Sequence, residues 1–417
     1  GFFKSTLNPY LIEPLNNFQN KQINKQTFCF ASQTGKSTLM HIALLYSISE
    51  TPSPMMYLMP SDQMARQISK ERIQPMLKES PTLSKLIPKS DDDITNLSYN
   101  FEDCIVHLSG ASSASKLSAF PCSKIFFDEC DKANVRNKNE AGAIQLSANR
   151  LKAYGKDKMF VLASTPTIDS GQETIWNHLK NSTFKQFNVP CLKCGFLGSI
   201  QFAKSNESFW IKFEKKINKD GDVIVPDSVE TTRMICPNCS HEICTDDEKN
   251  SMISDSRSKW IATNPFADES NQGYQLNSIY SSYISMKDAT RLFLEAKNTD
   301  TLQDFQNSFN ALPWKHHIEE LPDIIQLKQL EGEYPRGVVP KDSFVVITLD
   351  VMKYEIYGIV CAHTCEGVCH IIDNFRCETF EQVDVIKKKY SADYVACDAQ
   401  YETDYVLQKL YERGNKF

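Results

Sequence analysis

A chain of 417 residues, 41% hydrophobic and 24% charged, can hold two or three domains and has the make-up of an ordinary globular protein. Its net charge of −6 excludes a global basic field, so nucleic acid would have to be met by a local basic face. No apolar run approaches the ~18 residues of a membrane span, and the opening ten residues lack the apolar core of a signal peptide. The 14 cysteines sit mostly singly in apolar runs, which favours reduced thiols plus one metal site in a cytosolic compartment over a disulfide framework.

Residues 1 to 27 are polar and rich in Asn and Gln. Their short amphipathic piece carries Tyr10, expected as a packing residue, with stacking on a base as the alternative. Phe28–Cys29–Phe30–Ala31 then reads as a buried strand that turns over Ser32, Gln33, Thr34 and Gly35 into a helix beginning near Lys36. Strand, tight loop and helix with Lys and Ser in the first turn is the anatomy of a phosphate cradle. The free N–H groups face the anion, Lys36 neutralises the β- and γ-phosphates of ATP, and Ser37, followed by Thr38, offers a hydroxyl to Mg²⁺. The pattern departs from G-x-x-x-x-G-K-[ST], since the first Gly is missing and Phe30, followed by Ala31 and Ser32, stands at its position five residues before Gly35.

Pro54–Pro60, PMMYLMP, is a second buried strand, followed by a helical stretch whose Arg66 and Arg72 read as solvated. A strand-and-turn segment and a Ser-rich loop with Lys116 come next; that lysine reads equally as a phosphate or DNA contact and as plain surface. Lys124–Asp131, KIFFDECD, is a strand with carboxylates at its C-terminal edge. Nucleotide hydrolysis needs one carboxylate on Mg²⁺ and one on the attacking water, roles that suit Asp128 and Glu129 in that order. Met159–Thr167 is a further strand ending in a hydroxyl-rich turn. Ser164, Thr165 and Thr167 are placed to sense the γ-phosphate and couple hydrolysis to movement. Arg150, just upstream, is a candidate for charge on the transition state and equally a surface residue. Together these pieces predict an open parallel sheet with its ligand at the C-terminal edge, an ATPase core.

Cys191/Cys194 and Cys236/Cys239 are two C-x-x-C pairs with 41 residues between them, each followed by Gly or Ser. Four thiolates around a structural zinc ion is the expected arrangement, with His241 and Cys244 near enough to replace a ligand. The polar middle of the insert reads as a hairpin extension. Residues 251–340 are mixed and aromatic-rich, closing or linking the core and ending at a Pro/Gly boundary near Tyr334 to Lys341. Beyond it, a strand holding Asp350, two more strands, a helix and a strand ending at Asp398 resemble the opening of a ribonuclease-H-like fold. There the two carboxylates hold paired Mg²⁺ or Mn²⁺ ions that cut a phosphodiester. A further carboxylate from a later helix is not found before Phe417, so this half is expected to be incomplete.

In order and over nearly the whole length, these segments resemble the large terminase subunit of tailed bacteriophages, specifically the GpA-type family. The residues that carry the likeness are ASQTGKS, FFDECD, Arg150 ahead of ASTPT, the C-x-x-C pairs, the NPF and YSSY segments, EYPRGVVP and VVITLDV. The resemblance implies an α/β P-loop NTPase of RecA/ASCE type over residues 1–189. A zinc-knuckle insert over 190–250, a closing segment over 251–340 and a partial RNase H-like nuclease over 341–417 would follow. It implies an ATP-driven motor that moves double-stranded viral DNA into a procapsid and a metal-dependent endonuclease that cuts concatemers. The implied partners are a small terminase subunit and the portal, in a homo-oligomeric ring, within the host cytoplasm and not in the mature virion. A superfamily-2 helicase or translocase is the main rival, because DECD and STPT resemble its motifs; a non-catalytic zinc-stapled scaffold is the second.

Overall fold

The computed structural model describes residues 8–88, 93–111, 117, 120–133, 142–168, 173–218, 223–299, 301–314, 335–352, 355–398 and 403–413. Lys116 and Tyr334 lie outside the described residues. The chain separates into two compact units, Gly1–His316 and His317–Phe417.

In the first unit the cradle strand β1 (Lys25–Phe30) lies inside the sheet. Its side chains alternate between two cores: Phe28 and Phe30 enter one and Cys29 the other. β2 (Met55–Met59) is buried on both faces, as its continuous apolar run requires. β3 (Ser98–Asn100) and β4 (Ile105–Gly110) form an antiparallel pair at one edge. β5 (Lys124–Asp128) and β6 (Met159–Ser164) are apolar runs buried on both faces like β2.

After β7 (Lys185–Pro190), the cysteine-bearing segment continues the same sheet through β8 (Leu197–Gln201), β9 (Phe209–Lys212), β10 (Arg233–Ile235) and β11 (Glu242–Ile243). Phe209, Ile211, Met234 and Ile243 belong to the core that also holds Phe28 and Phe30, so the insert is packed into the unit. An isolated antiparallel bridge between Ile217 and Val223 marks its hairpin extension. β12 (Lys259–Ala262) returns antiparallel to β7, and β13 (Asn271–Leu276) inserts between β7 and β1.

From β7 the central sheet runs β7-β13-β1-β6-β5-β2-β4-β3. β13, β1, β6, β5, β2 and β4 are mutually parallel. One strand, β6, therefore separates the cradle strand from the carboxylate strand, and the C-terminal ends of all three open on the same edge. The polar sequence of β13, NQGYQL, gives no sign of a central strand. Its buried glutamines are satisfied sideways: Gln275 donates to Ala311 O (3.2 Å) and accepts from Gln186 (3.1 Å). Gly273 is required there because the Ser182 hydroxyl lies 1.7 Å from where a Cβ would stand.

Among the described residues the second unit has four strands, β14 (Phe344–Val351), β15 (Ile356–His363), β16 (Cys369–Cys377) and β17 (Tyr394–Cys397), in the order β16-β15-β14-β17. The first three are antiparallel and β17 runs parallel to β14. Alternation places Val345, Ile347, Leu349 and Val351 under the helix Phe380–Tyr390 and turns Thr348 and Asp350 to the open face. That helix begins on a Thr379/Gln382 capping box and ends with three lysines in its last turn. No described helix is long and apolar enough to cross a membrane.

Candidate functional site

The loop after β1 is shaped by two residues in the left-handed region, Gln33 (φ 59°) and Gly35 (φ 85°). A glycine at the first position is unnecessary because Phe30 there ends β1 in extended backbone, and neither Ala31 nor Ser32 after it is left-handed. Ala31 N bonds Leu276 O (2.8 Å) and Ser32 N bonds Ser308 O (2.9 Å). Buried Thr34 folds its hydroxyl onto Ala31 O at 2.8 Å, closing the loop. The helix Lys36–Glu50 then starts with no side-chain cap, which leaves its first N–H groups facing the loop. Leu11 lies 3.1 Å from where a Gly35 Cβ would stand, so the N-terminal segment braces the loop. Tyr10 is fully buried, edge-on to Phe187, a packing residue.

Lys36 and Glu129 lie 93 positions apart in sequence and meet at 2.6 Å. Lys36 is 7% exposed and Glu129 17%, and Lys132 holds the other carboxylate oxygen at 3.0 Å. Burial pushes the Glu129 carboxyl up, but the two lysines more than offset this and hold it below the usual carboxylate range. Glu129 has a left-handed backbone (φ 53°), an uncommon conformation for a non-glycine that directs its side chain back to the cradle. Its N–H caps Asp128 Oδ1 at 3.0 Å.

Asp128 is buried, bonded by the Ser37 hydroxyl and by Tyr57 Oη at 3.2 Å. Desolvation raises its pKa against the pull of Lys36. Lys36, Ser37, Asp128 and Glu129 thus converge; Gln33, Thr34 and Gly35 form the loop beside them, and Thr38 is exposed on the first helical turn. The sequence alone does not single out Tyr57 or Lys132, since a buried tyrosine in an apolar strand and a surface lysine carry no motif.

The hydroxyl turn is tied to the carboxylate strand by Asp131, which the sequence reading also leaves without a role. Asp131 accepts from Ile175 N (2.6 Å), Thr167 N (3.3 Å) and Thr167 Oγ1 (3.4 Å), and donates its own N–H to Ser164 Oγ (3.4 Å). Ser164 in turn donates to Thr165 O at 2.8 Å. Burial raises the Asp131 pKa to about 6, against the opposing pull of the bonds from Ile175 and Thr167. Arg150 is not brought to this site: its carbonyl accepts from Cys122 N, ahead of β5. That is about 20 Å of strand from Asp128.

The two C-x-x-C pairs come together, Cys191 to Cys239 at 3.9 Å and Cys194 to Cys236 at 3.8 Å. All four sulfurs lie within 4.8 Å of one another. Each pair closes the same way. Gly195 (φ 75°) and Ser240 (φ 56°) return their N–H groups to Cys191 O (2.9 Å) and Cys236 O (3.0 Å). Hydrogen bonds from Asn238 and Phe196 lower the Cys194 pKa to about 6. The set is compatible with tetrahedral zinc, and neither His241 nor Cys244 belongs to it.

In the second unit the register Leu349↔Cys397 leaves Asp350 and Asp398 as the next step of two neighbouring parallel strands, with Asp398 N bonded to Leu349 O at 2.9 Å. Both are exposed. Burial, and then the charges of both carboxylates, raise the Cys397 pKa to about 11. Tyr357, opposite Asp350, donates to Glu355 at 2.8 Å.

The first unit is thus a P-loop ATPase by its strand order and its lysine–carboxylate convergence. Comparison with known families extends this. Residues 1–260 match the phage terminase large subunit gpA ATPase domain and residues 271–416 match the gpA endonuclease domain. The chain belongs to the gpA family of phage terminase large subunits: an ATP-hydrolysing motor for packaging viral DNA, joined to an endonuclease. The four strands of the second unit stand where the helicase alternative needs a second RecA-like domain.

Among solved structures, the chain is similar to the HK97 bacteriophage large terminase (11% identity, 99% of this chain and 74% of that one, TM-score 0.43). It is also similar to the large terminase of a thermophilic bacteriophage (10%, 98% and 80%, 0.39) and to the Thermus phage P74-26 large terminase ATPase domain (12%, 72% and 92%, 0.38). These scores are too low to add to the family assignment. No curated protein sequence matches the chain.

Proposed function

We propose that Lys36, Ser37, Asp128 and Glu129 are the hydrolytic machinery of this motor, with ATP and Mg²⁺ as ligands. The observation that supports it best is the Lys36–Glu129 pair, 2.6 Å long, beside buried Asp128 at the C-terminal edge of the sheet. In this reading Lys36 exchanges Glu129 for the β- and γ-phosphates, which frees Glu129 to orient the attacking water. Asp128 and Ser37 would hold Mg²⁺, which would supply positive charge for transition-state stabilisation. The backbone from Gln33 to Thr38 cradles the phosphates. Ser164, Thr165 and Thr167 carry the change onward. Arg150, far from the cradle of its own chain, would serve only the nucleotide of a neighbouring copy.

In the same reading Cys191, Cys194, Cys236 and Cys239 hold a structural zinc ion. Asp350 and Asp398 hold the Mg²⁺ or Mn²⁺ of the nuclease. Residues 1–189 form the ATPase core, 190–250 the knuckle insert, 251–340 the closing segment and 341–417 the nuclease. Double-stranded DNA, a small subunit, the portal and further copies in a ring are the partners, in the host cytoplasm and apart from the mature virion.

The test is a steady-state ATPase assay with a nucleotide-binding measurement. Lys36→Ala should lose both binding and turnover. Glu129→Gln should keep binding while turnover falls by about 10²-fold or more. Parental turnover in Glu129→Gln would overturn the assignment.

A further inference from the structure

The sheet of the second unit places a cation in line with its two carboxylates. Asp350 on β14 pairs with Tyr357 on β15, and Tyr357 pairs with Arg376 on β16. Asp398 follows Cys397, the partner of Leu349, and so stands beside Asp350 on its other flank. Asp398, Asp350, Tyr357 and Arg376 therefore form one row across the four strands. Alternation turns the row to the open face: Leu349, Val351, Ile356 and Cys377 beside it are buried, while Asp350, Tyr357 and Arg376 are exposed. The next open-face row, Ala396, Thr348, Ile359 and Asn374, carries no charge.

Arg376 is held in one attitude. Its guanidinium lies over the Tyr357 ring, 5.5 Å from the centroid, and donates from one terminal nitrogen to a carboxylate oxygen of Glu355. The other Glu355 oxygen accepts from Tyr357 Oη at 2.8 Å. Glu355 itself is fixed in the turn between β14 and β15, where its carbonyl accepts from Met352 N at 2.9 Å. Bonds from Arg376 and then Tyr357 hold the Glu355 carboxyl below the usual carboxylate range, so it stays an anion at neutral pH. The side chain of Arg376 is nevertheless 62% exposed, and Glu355 takes one of the several N–H donors of its planar fork.

Duplex DNA is a dense line of negative charge, and Asp350, Asp398 and Glu355 all repel it. A duplex cut at the two aspartates must therefore meet positive charge close by, and Arg376 is the cation of their row. Two strand spacings put its Cα roughly 10 Å from that of Asp350, or about three base steps along one strand of a duplex. A fork of N–H donors suits a phosphate, which it can grip through two oxygens at once. Resting on the reading of Asp350 and Asp398 as the cutting site, we propose that Arg376 grips a backbone phosphate within about three nucleotides of the one that is cut. Tyr357 supports the guanidinium from below and Glu355 steers it. Arg376 is thus a positioning residue, which lays the substrate strand across the row without touching the reacting atoms.

The experiment uses the full chain in two assays: plasmid nicking with Mn²⁺ against DNA concentration, and binding of a fluorescent duplex at several salt concentrations without divalent metal. Arg376→Ala should raise KM for DNA by about tenfold with a smaller change in the saturating rate. The dependence of log affinity on log salt should become shallower by about 1. Arg376→Lys should recover the salt dependence without the full affinity, because the charge returns and the fork does not. Phenylglyoxal labelling with peptide mapping of the parent chain needs no variant, and bound duplex should protect Arg376. Parental KM and salt dependence in Arg376→Ala, a fall in its saturating rate at unchanged KM, or equal labelling of Arg376 with and without duplex would each overturn the proposal. The binding and labelling arms require no cutting, so they stand apart from the nuclease assignment, which nicking by Asp350→Ala tests separately.

Discussion

Asp131 has a cost that can be measured. Its pKa of about 6 in the folded chain stands above the ordinary aspartate value of 3.8. A carboxyl raised on folding favours the native state while protonated. That contribution is complete below the unfolded value and is lost as pH rises through about 6. The displacement corresponds to about 3 kcal/mol against the native state at pH 7.5. Asp131→Asn keeps the shape and one acceptor for Ile175 N but carries no charge. Its amide must then face Thr167 N, which costs about 1–2 kcal/mol. The net expectation is a gain of about 1–2 kcal/mol at pH 7.5 that vanishes or reverses at pH 4. Thermal unfolding of parent and variant at both values is the assay, with a rise of a few degrees at pH 7.5 alone. ATP turnover should fall while nucleotide affinity holds, because the tether to Thr167 is weakened. An Asp131→Asn chain less stable than the parent at pH 7.5 would refute the argument.

Gln33→Gly should stabilise the nucleotide-free chain by about 0.5–1 kcal/mol, because a left-handed backbone is strained for glutamine, whereas Gly35→Ala should destabilise it by more than about 1 kcal/mol. Denaturant midpoints check both. Cys194→Ser should lower zinc content by about one per chain and reduce the melting temperature of the first unit, and a chelator should mimic it in the parent. Asp350→Ala and Asp398→Ala should each abolish Mn²⁺-dependent plasmid nicking while ATPase activity stays parental; loss of ATPase activity in either would show a folding defect instead. A double-mutant cycle of Asp131→Asn with Thr167→Val on ATP turnover should give a coupling of at least about 0.5 kcal/mol, and strict additivity would remove Asp131 from the route.

What was legible in the sequence was whatever is local. FCFASQTGKS writes strand, turn and helix within a dozen residues, and KIFFDE writes strand and carboxylate edge. Each knuckle places its two thiols and its turn residue in five consecutive positions. In the second unit, alternation over SFVVITLDV alone fixes which face Asp350 occupies. What was illegible depends on distant partners. NQGYQL becomes a central strand only because β1 and β7 flank it and Gln186 and Ala311 satisfy Gln275. Asp131 acquires its role from Thr167 and Ile175, 36 and 44 residues away. The missing first glycine says nothing about the loop itself, whose left-handed bend lies at Gln33, a residue type that sequence rules do not expect there.

The placement of β6 gives these residues a common logic. Because it separates β1 from β5, the turn at its C-terminal end sits between the cradle and the carboxylates in the sheet order. Glu129 begins the short turn that carries Asp131, and Asp131 holds Thr167 on the far side of β6. Thr167 O accepts from Trp314 N at 2.8 Å, near the end of the first unit. If Glu129 leaves Lys36 to orient water, as proposed, its side chain would turn about its own left-handed backbone. Its neighbour two residues on is bonded to the turn that this motion would displace. In the proposed mechanism the left-handed Glu129 and the raised carboxyl of Asp131 would then lie along one route to the hydroxyl turn, where an apolar, relaxed substitute would be more stable and would couple less.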